Sequence, residues 1–81
     1  MIVGKINIKP TDHYQKYHLD VPWDMVITAI LSPTKVNLNK RHGKNRFTYT
    51  KKFKKYMIEI HVEKDDIENI IWVINAFKTW R

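Results

Sequence analysis

Side chains that can transfer protons or bind anions are plentiful in this sequence. They are His13, His18, His42, His61, Tyr49, Tyr56, Arg41, Arg46 and the lysines. RNA cleavage, in which the 2′-hydroxyl attacks its own phosphate, can be carried out by such groups alone. It requires a base, an acid for the leaving oxygen and cations for the extra negative charge, but no metal. The residue types are therefore compatible with that chemistry, and we expect neither a cofactor nor a metal site.

Two histidines are the first candidates for catalysis. His13 lies near the start of a predicted helix, beside a strand-to-helix bend where a side chain can overhang a sheet. His61 lies on a predicted strand between Glu59 and Glu63, and a neighbouring carboxylate could orient its imidazole. The alternative is that His61 belongs to the solvent-facing polar ladder that any half-buried strand shows.

Arg46 and Tyr49 complete the candidate catalytic set, and the register of their strand decides between them. In the alternating segment of residues 46–50, Arg46 shares a face with Thr48, whereas Tyr49 shares the other face with Phe47. If helices cover the Phe47 and Tyr49 face, Arg46 points to the open face, where it could hold a phosphate through two hydrogen bonds. The opposite register would expose Tyr49 as an acid, a base or a stacking group.

The charge distribution is the most informative feature of the composition. Lys plus Arg number 15 and Asp plus Glu number 8, for a net charge of +7. Nine of the cations lie in the stretch between Asp24 and Glu59, which contains no acidic residue. A bias toward lysine could by itself reflect base composition of the genome, but segregation along the chain favours a polarised face that binds polyanions. The predicted nucleic-acid contacts are Lys16, Arg41, Lys44, Lys51, Lys52, Lys54, Lys55 and Arg81.

Several classes of protein are disfavoured. The chain has no cysteine, which excludes disulfides and thiolate metal sites. Its longest apolar run, residues 70–74, is too short to span a membrane, and the first six residues do not resemble a signal peptide. The acidic residues at 65, 66 and 68 match no calcium loop and suit a polar turn better. We therefore expect a cytoplasmic protein.

The hydrophobic pattern predicts a single α+β domain over residues 1–81. A strand is predicted over residues 2–8, helices over residues 13–19 and 21–31, and further strands near residues 36–38, 46–50, 56–63 and 70–77. Ile58, Ile60 and Val62 point to one face of their strand. We expect two layers, in which two N-terminal helices pack on an antiparallel β-meander of three to four strands, with the short N-terminal strand in addition.

Five segments together resemble a known family. They are a histidine opening the first helix, the pattern Val-Pro-Trp-Asp-x-Val-Ile-x-x-Ile-x-x-Pro in the second, and the strands Arg-Phe-Thr-Tyr-Thr, Tyr-Met-Ile-Glu-Ile-His-Val-Glu and Ile-Ile-Trp-Val-Ile-Asn-Ala-Phe-Lys. The pattern resembles the small RelE/BrnT-like toxin domains of the barnase–EndoU–colicin–RelE ribonuclease group, most closely a subfamily of unknown function, over about residues 12–78. The resemblance singles out His13, while Tyr17 stands where members usually carry Arg. It implies metal-independent RNA cleavage and an acidic antitoxin partner.

Three functions follow as expectations. The first is a toxin-type, metal-independent RNA endonuclease, which would bring His13, Arg46 and lysines together on the open face of the sheet. The second is a non-catalytic nucleic-acid-binding module, which needs the basic surface but no aligned acid and base. The third is a domain whose basic face binds an acidic protein partner.

Overall fold

The chain forms two short helices and six strands in the computed structural model, which describes residues 2–17, 20–39 and 45–80. In chain order the elements are β1 (Ile2–Val3), β2 (Ile6–Pro10), α1 (Asp12–Tyr17), α2 (Trp23–Leu31), β3 (Lys35–Leu38), β4 (Arg46–Lys52), β5 (Tyr56–Asp65) and β6 (Ile70–Trp80). The predicted α+β class is confirmed. Neither helix among the described residues is long and apolar enough to cross a membrane.

The sheet is mixed, which corrects the prediction of an antiparallel meander of three to four strands. The strand order is β1-β2-β6-β5-β4-β3. Strands β3 to β6 do form an antiparallel meander, but β2 adds to it by pairing in parallel with β6. The two helices connect β2 to β3, which forms the opposite edge of the sheet. From β3 the meander runs back across the sheet, so that β6 lies next to β2.

The predicted strand over residues 2–8 is in fact a tight hairpin between β1 and β2. Ile2 pairs with Asn7 and Val3 with Ile6, so the chain reverses at Gly4 and Lys5. Gly4 has a φ of 60°, a conformation that glycine adopts without the steric cost of a Cβ. The hairpin therefore adds a sixth, two-residue strand at the edge of the sheet.

Alternation along β5 separates the two faces of the sheet. Ile58, Ile60 and Val62 are fully buried under the helices, which confirms the predicted face. We call this the helix face. Helix α2 contacts β4 and β5, and its buried residues are Val26, Ile27, Ala29 and Ile30. The opposite side, which no described helix covers, is called the open face, and Glu59, His61 and Glu63 lie on it.

Helix α1 is fixed on the helix face by Thr11 and Tyr14. The Thr11 hydroxyl donates a 2.7 Å hydrogen bond to the carbonyl of Val73 in β6. The Tyr14 side chain is buried, and its hydroxyl donates to the carbonyl of Val21 just before α2. Burial raises the pKa of Tyr14, and the negative charges of Asp20 and Asp24 raise it further. Tyr14 therefore links α1 to the residue that precedes α2 through a hydrogen bond in the core.

Replacing Tyr14 with phenylalanine should lower the free energy of unfolding by about 1 kcal/mol at neutral pH, because the Val21 carbonyl loses its partner. The raised pKa also predicts a pH dependence. The stabilisation by the neutral phenol is fully present below the ordinary pKa of 10.0 and is lost as pH rises through the folded-state pKa. Its slope is at most about 1.4 kcal/mol per pH unit. Urea unfolding at neutral and alkaline pH measures both effects.

Tyr17→Phe is the matched control, because Tyr17 is an exposed residue of the same helix. Tyr17→Phe should leave the free energy of unfolding at neutral pH unchanged, and that free energy should fall with rising pH as steeply as in the wild type. In Tyr14→Phe it should fall less steeply. Identical alkaline slopes in the wild type and Tyr14→Phe would contradict this role for the Tyr14 phenol.

Candidate nucleic-acid interface

A ladder of aromatic rings lies on the helix face at the end of the sheet where β4 ends and β5 begins. Phe53 stacks on Tyr56, with centroids 4.7 Å apart and planes at 22°. Tyr56 in turn lies 5.5 Å from Trp80, with planes tilted by 58°. The backbone sets this arrangement, because Tyr56 pairs with Trp80 in the β5–β6 register and the Phe53 N–H donates to the Tyr56 carbonyl. The Trp80 side of the ladder is open, since Trp80 is 68% exposed.

Lys78 places a positive charge inside this ladder. Its Nζ lies 4.5 Å from the Tyr56 ring centroid and 4.6 Å from that of Trp80, in cation–π contact with both. A base sandwiched between two rings needs them about 7 Å apart, twice the spacing of stacked bases. The 5.5 Å between Tyr56 and Trp80 is too small for that. A base would therefore stack on the outer face of Trp80.

Four lysines surround the turn between β4 and β5. Lys51 already has a partner, since its Nζ donates a 2.7 Å hydrogen bond to the Ser32 carbonyl at the end of α2. A cation there also suits the negative end of the helix dipole. Lys52, Lys54 and Lys55 are exposed and form no ion pair with the described carboxylates. We call Lys52, Phe53, Lys54, Lys55, Tyr56, Lys78 and Trp80 the aromatic–lysine end.

The open face carries a different set of groups. His61 lies at its centre, with its Nε2 3.4 Å from a Glu59 oxygen and its Nδ1 3.4 Å from the Asn75 amide nitrogen. Its ring also meets the edge of Phe77, with centroids 5.4 Å apart. Arg46 Nε lies 3.4 Å from Glu63 Oε1 across the β4–β5 pair, without forming a hydrogen bond. Carboxylates therefore offset much of the positive charge on this face.

The four predicted catalytic residues do not converge on one site. Arg46 and His61 share the open face, as the first of the two registers predicted. His13 is exposed on α1, the helix that packs on the other side of the sheet, and its ring lies 5.0 Å from that of Tyr17. Tyr49 is only 7% exposed and lies in the core on the helix face. Its three-residue spacing from Arg46 places the two on opposite faces, so the prediction of an exposed Tyr49 is wrong.

The predicted nucleic-acid contacts are distributed over several elements. Lys52, Lys54 and Lys55 belong to the aromatic–lysine end, and Lys51 lies beside it. Lys16 is exposed on α1, with its Nζ 6.0 Å from the Tyr17 ring. Arg41, Lys44 and Arg81 lie outside the described residues.

Sequence reasoning did not assign Phe53 and Lys78 to the site. The signal that connects these residues is the register of the β5–β6 pair, which brings Tyr56 opposite Trp80 and Ile58 opposite Lys78. Because Lys78 and Trp80 are two residues apart on one strand, they share a face. The strand pattern predicts that shared face, but not which residue of the neighbouring strand lies opposite.

The chain matches no protein-family model, no curated protein and no solved structure. The geometry of the aromatic–lysine end and of the open face is therefore the basis for inferring a function.

Proposed function

We propose that the protein binds single-stranded nucleic acid, with RNA as the expected ligand, through the aromatic–lysine end. The observation that carries this proposal is the exposed Trp80 ring at the end of an aromatic ladder, with Lys52, Lys54 and Lys55 exposed at the same end of the sheet and in no ion pair with a described carboxylate. Aromatic faces stack with bases of any sequence, and lysines along a groove neutralise the phosphates. In this arrangement Trp80 accepts a base, while Lys52, Lys54 and Lys55 contact the backbone.

The aromatic content favours a single strand over a duplex or an acidic protein. Bases in a duplex are stacked on one another and do not offer a free face to a protein ring, whereas single-stranded bases can be splayed out and stacked on aromatic side chains. An acidic protein would gain from the lysines but not from the stacking. The predicted acidic, antitoxin-like partner would compete for the same lysines.

Fluorescence anisotropy can separate these ligands in one experiment. A labelled oligouridine, a labelled duplex of equal length and a labelled glutamate-rich peptide are titrated with the protein at one salt concentration. We expect the single strand to bind about fivefold to a hundredfold more tightly than the other two, because one stacked base contributes about 1–3 kcal/mol. Equal affinity for all three would mean that the surface is only an unspecific cation cluster and would overturn the proposal.

A toxin-type, metal-independent RNA endonuclease is the second candidate, and the pairing of His61 with Glu59 favours it. A carboxylate 3.4 Å from the imidazole can hold the ring in place. The imidazole Nδ1 would then give up its contact with the Asn75 amide and accept the 2′-hydroxyl proton, and water would protonate the leaving 5′-oxygen. Arg46 would stabilise the phosphate. It lies two residues from Thr48 on β4, and Thr48 pairs with His61. Arg46 would have to exchange its Glu63 partner for that phosphate.

This second candidate predicts RNA cleavage that persists in EDTA and is lost in His61→Ala. Removing a general base costs about a hundredfold to ten-thousandfold in rate. Incubation of labelled RNA with purified, folded protein measures it, and Lys35→Ala, on an edge strand, is the control. Absence of cleavage by the wild type would contradict the enzyme hypothesis but not the proposal that the protein binds single-stranded nucleic acid. Cleavage lost in His13→Ala but kept in His61→Ala would place the site on α1 instead.

A further inference from the structure

A cavity of about 230 Å³ lies on the helix face, away from the aromatic–lysine end. Its aliphatic walls are Ile6, Ile8, Ile30, Leu31 and Ile71, and its polar lining residues are Tyr49 and Lys64. Lys64 lies eight residues along β5 from Tyr56, about 26 Å for an extended strand. The cavity is therefore separate from the surface proposed to bind nucleic acid.

Lys64 lines this cavity and has no carboxylate partner among the described residues. Its Nζ lies 4.4 Å from the Phe47 ring centroid and 5.6 Å from that of Tyr49. No described carboxylate lies within 4.0 Å of it, since the ion pairs among the described residues involve Arg46 and His61. A half-buried cation next to apolar walls is most favourable when an anion shares its site.

Tyr49 adds a hydrogen-bond donor to the same cavity. The residue is 7% exposed, no hydrogen bond among the described residues involves its hydroxyl, and that oxygen is not one of their fully buried unpaired atoms, so it keeps accessible surface. A phenol normally finds a partner when its ring is buried. Tyr49 and Lys64 therefore supply two polar groups on an otherwise aliphatic lining, the combination typical of a site for a small amphipathic ligand.

We propose that this cavity binds a small monocarboxylate with a compact apolar body, of the size and shape of an arylacetic acid. The carboxylate would accept hydrogen bonds from Lys64 Nζ and the Tyr49 hydroxyl, and the ring would lie among the aliphatic side chains. An engineered cavity of about 150 Å³ holds benzene, so 230 Å³ accommodates a ring with a short acid chain.

The neighbouring charges select a single negative charge. Asp65 and Asp66 line an adjoining cavity of about 160 Å³, of which Lys64 is also a lining residue. A phosphate or dicarboxylate would place its second charge nearer to these carboxylates, and like charges repel. A monocarboxylate satisfies Lys64 without that cost.

The test is an NMR titration of the full chain with isoleucine methyl groups labelled, using phenylacetate and its neutral isostere phenylacetamide. We expect saturable shifts of the Ile8 and Ile71 methyls with phenylacetate and at least about tenfold weaker binding of phenylacetamide, since hydrogen bonds to charged groups contribute more than neutral ones. Absence of saturable shifts, or equal binding of the two compounds, would overturn the proposal. This comparison needs no variant and is independent of nucleic-acid binding.

Variants then assign the two polar groups. Lys64→Met should weaken phenylacetate binding by about tenfold or more and leave phenylacetamide binding unchanged. Tyr49→Phe should weaken phenylacetate binding by a few-fold. Lys35→Met, which removes an exposed lysine on β3, is the control and should have no effect. Unchanged phenylacetate binding in a folded Lys64→Met protein would contradict the proposal.

Discussion

Trp80→Ala should weaken the binding of oligouridine by about fivefold to a hundredfold, the range that corresponds to one stacked base. Trp80 offers a large open ring, and the ladder behind it holds that ring in place through Tyr56. Its removal also frees Lys78 from one of its two cation–π contacts. Anisotropy titrations of both proteins with the same labelled oligouridine measure the loss. Quenching of tryptophan fluorescence that occurs in the wild type and is absent in Trp80→Ala would report stacking on Trp80, since Trp23 and Trp72 remain in both proteins.

Phe77→Ala is the matched control for Trp80→Ala. Phe77 is also an exposed aromatic residue of β6, but it lies on the open face beside His61. We expect its replacement to leave oligouridine binding within about twofold of the wild type, because single surface substitutions away from a contact have small effects. A larger loss in Phe77→Ala than in Trp80→Ala would move the binding surface to the open face.

Replacing Lys52, Lys54 and Lys55 together with glutamine should remove most of the salt dependence of binding. Each phosphate contact with a single strand contributes about 0.7 to the slope of log affinity against log salt, so three contacts contribute about 2. The affinity at about 0.1 M salt should fall roughly a hundredfold for the same reason. Lys51 is kept in this variant because its bond to the Ser32 carbonyl holds the end of α2.

The control for the triple variant removes the same charge elsewhere. Lys5, Lys9 and Lys16 lie in the β1–β2 turn, on β2 and on α1, and their replacement with glutamine lowers the net charge by the same amount. We expect a much smaller loss of affinity and a nearly unchanged slope. Equal slopes in the two triple variants would mean that binding depends on net charge rather than on the aromatic–lysine end.

Local patterns predicted the layers of the fold but not the complete sheet. The alternation of Ile58, Ile60 and Val62 identified the buried face of β5 correctly, because a side-chain period of two is a property of one strand. The parallel pairing of β2 with β6 joins residues more than sixty positions apart, and no local pattern specifies it. Residues 2–8 were predicted as one strand, and the hairpin at Gly4 was not predicted because it depends on the pairing of β1 with β2.

For the candidate site too, local patterns predicted the properties of single segments but not the contacts between strands. The exposed lysines of the β4–β5 turn were predicted from the acid-free stretch, and the orientation of Arg46 followed from alternation once helices covered Tyr49. The shared position of Tyr56, Lys78 and Trp80 could not be predicted, since it requires the β5–β6 register. His13 and Arg46 could not be placed relative to each other, because the side of the sheet on which a helix packs is set by tertiary contacts such as that of Thr11 with Val73 in β6.

An NMR titration of the labelled protein with oligouridine tests the central claim most directly, because it reports every surface at once. We expect the largest shifts at the Trp80 indole N–H and at the backbone amides from Phe53 to Tyr56, with small shifts at Thr48, His61 and Asn75. Shifts centred on His61 and Phe77, or no shifts at low salt, would contradict the assignment of nucleic-acid binding to the aromatic–lysine end.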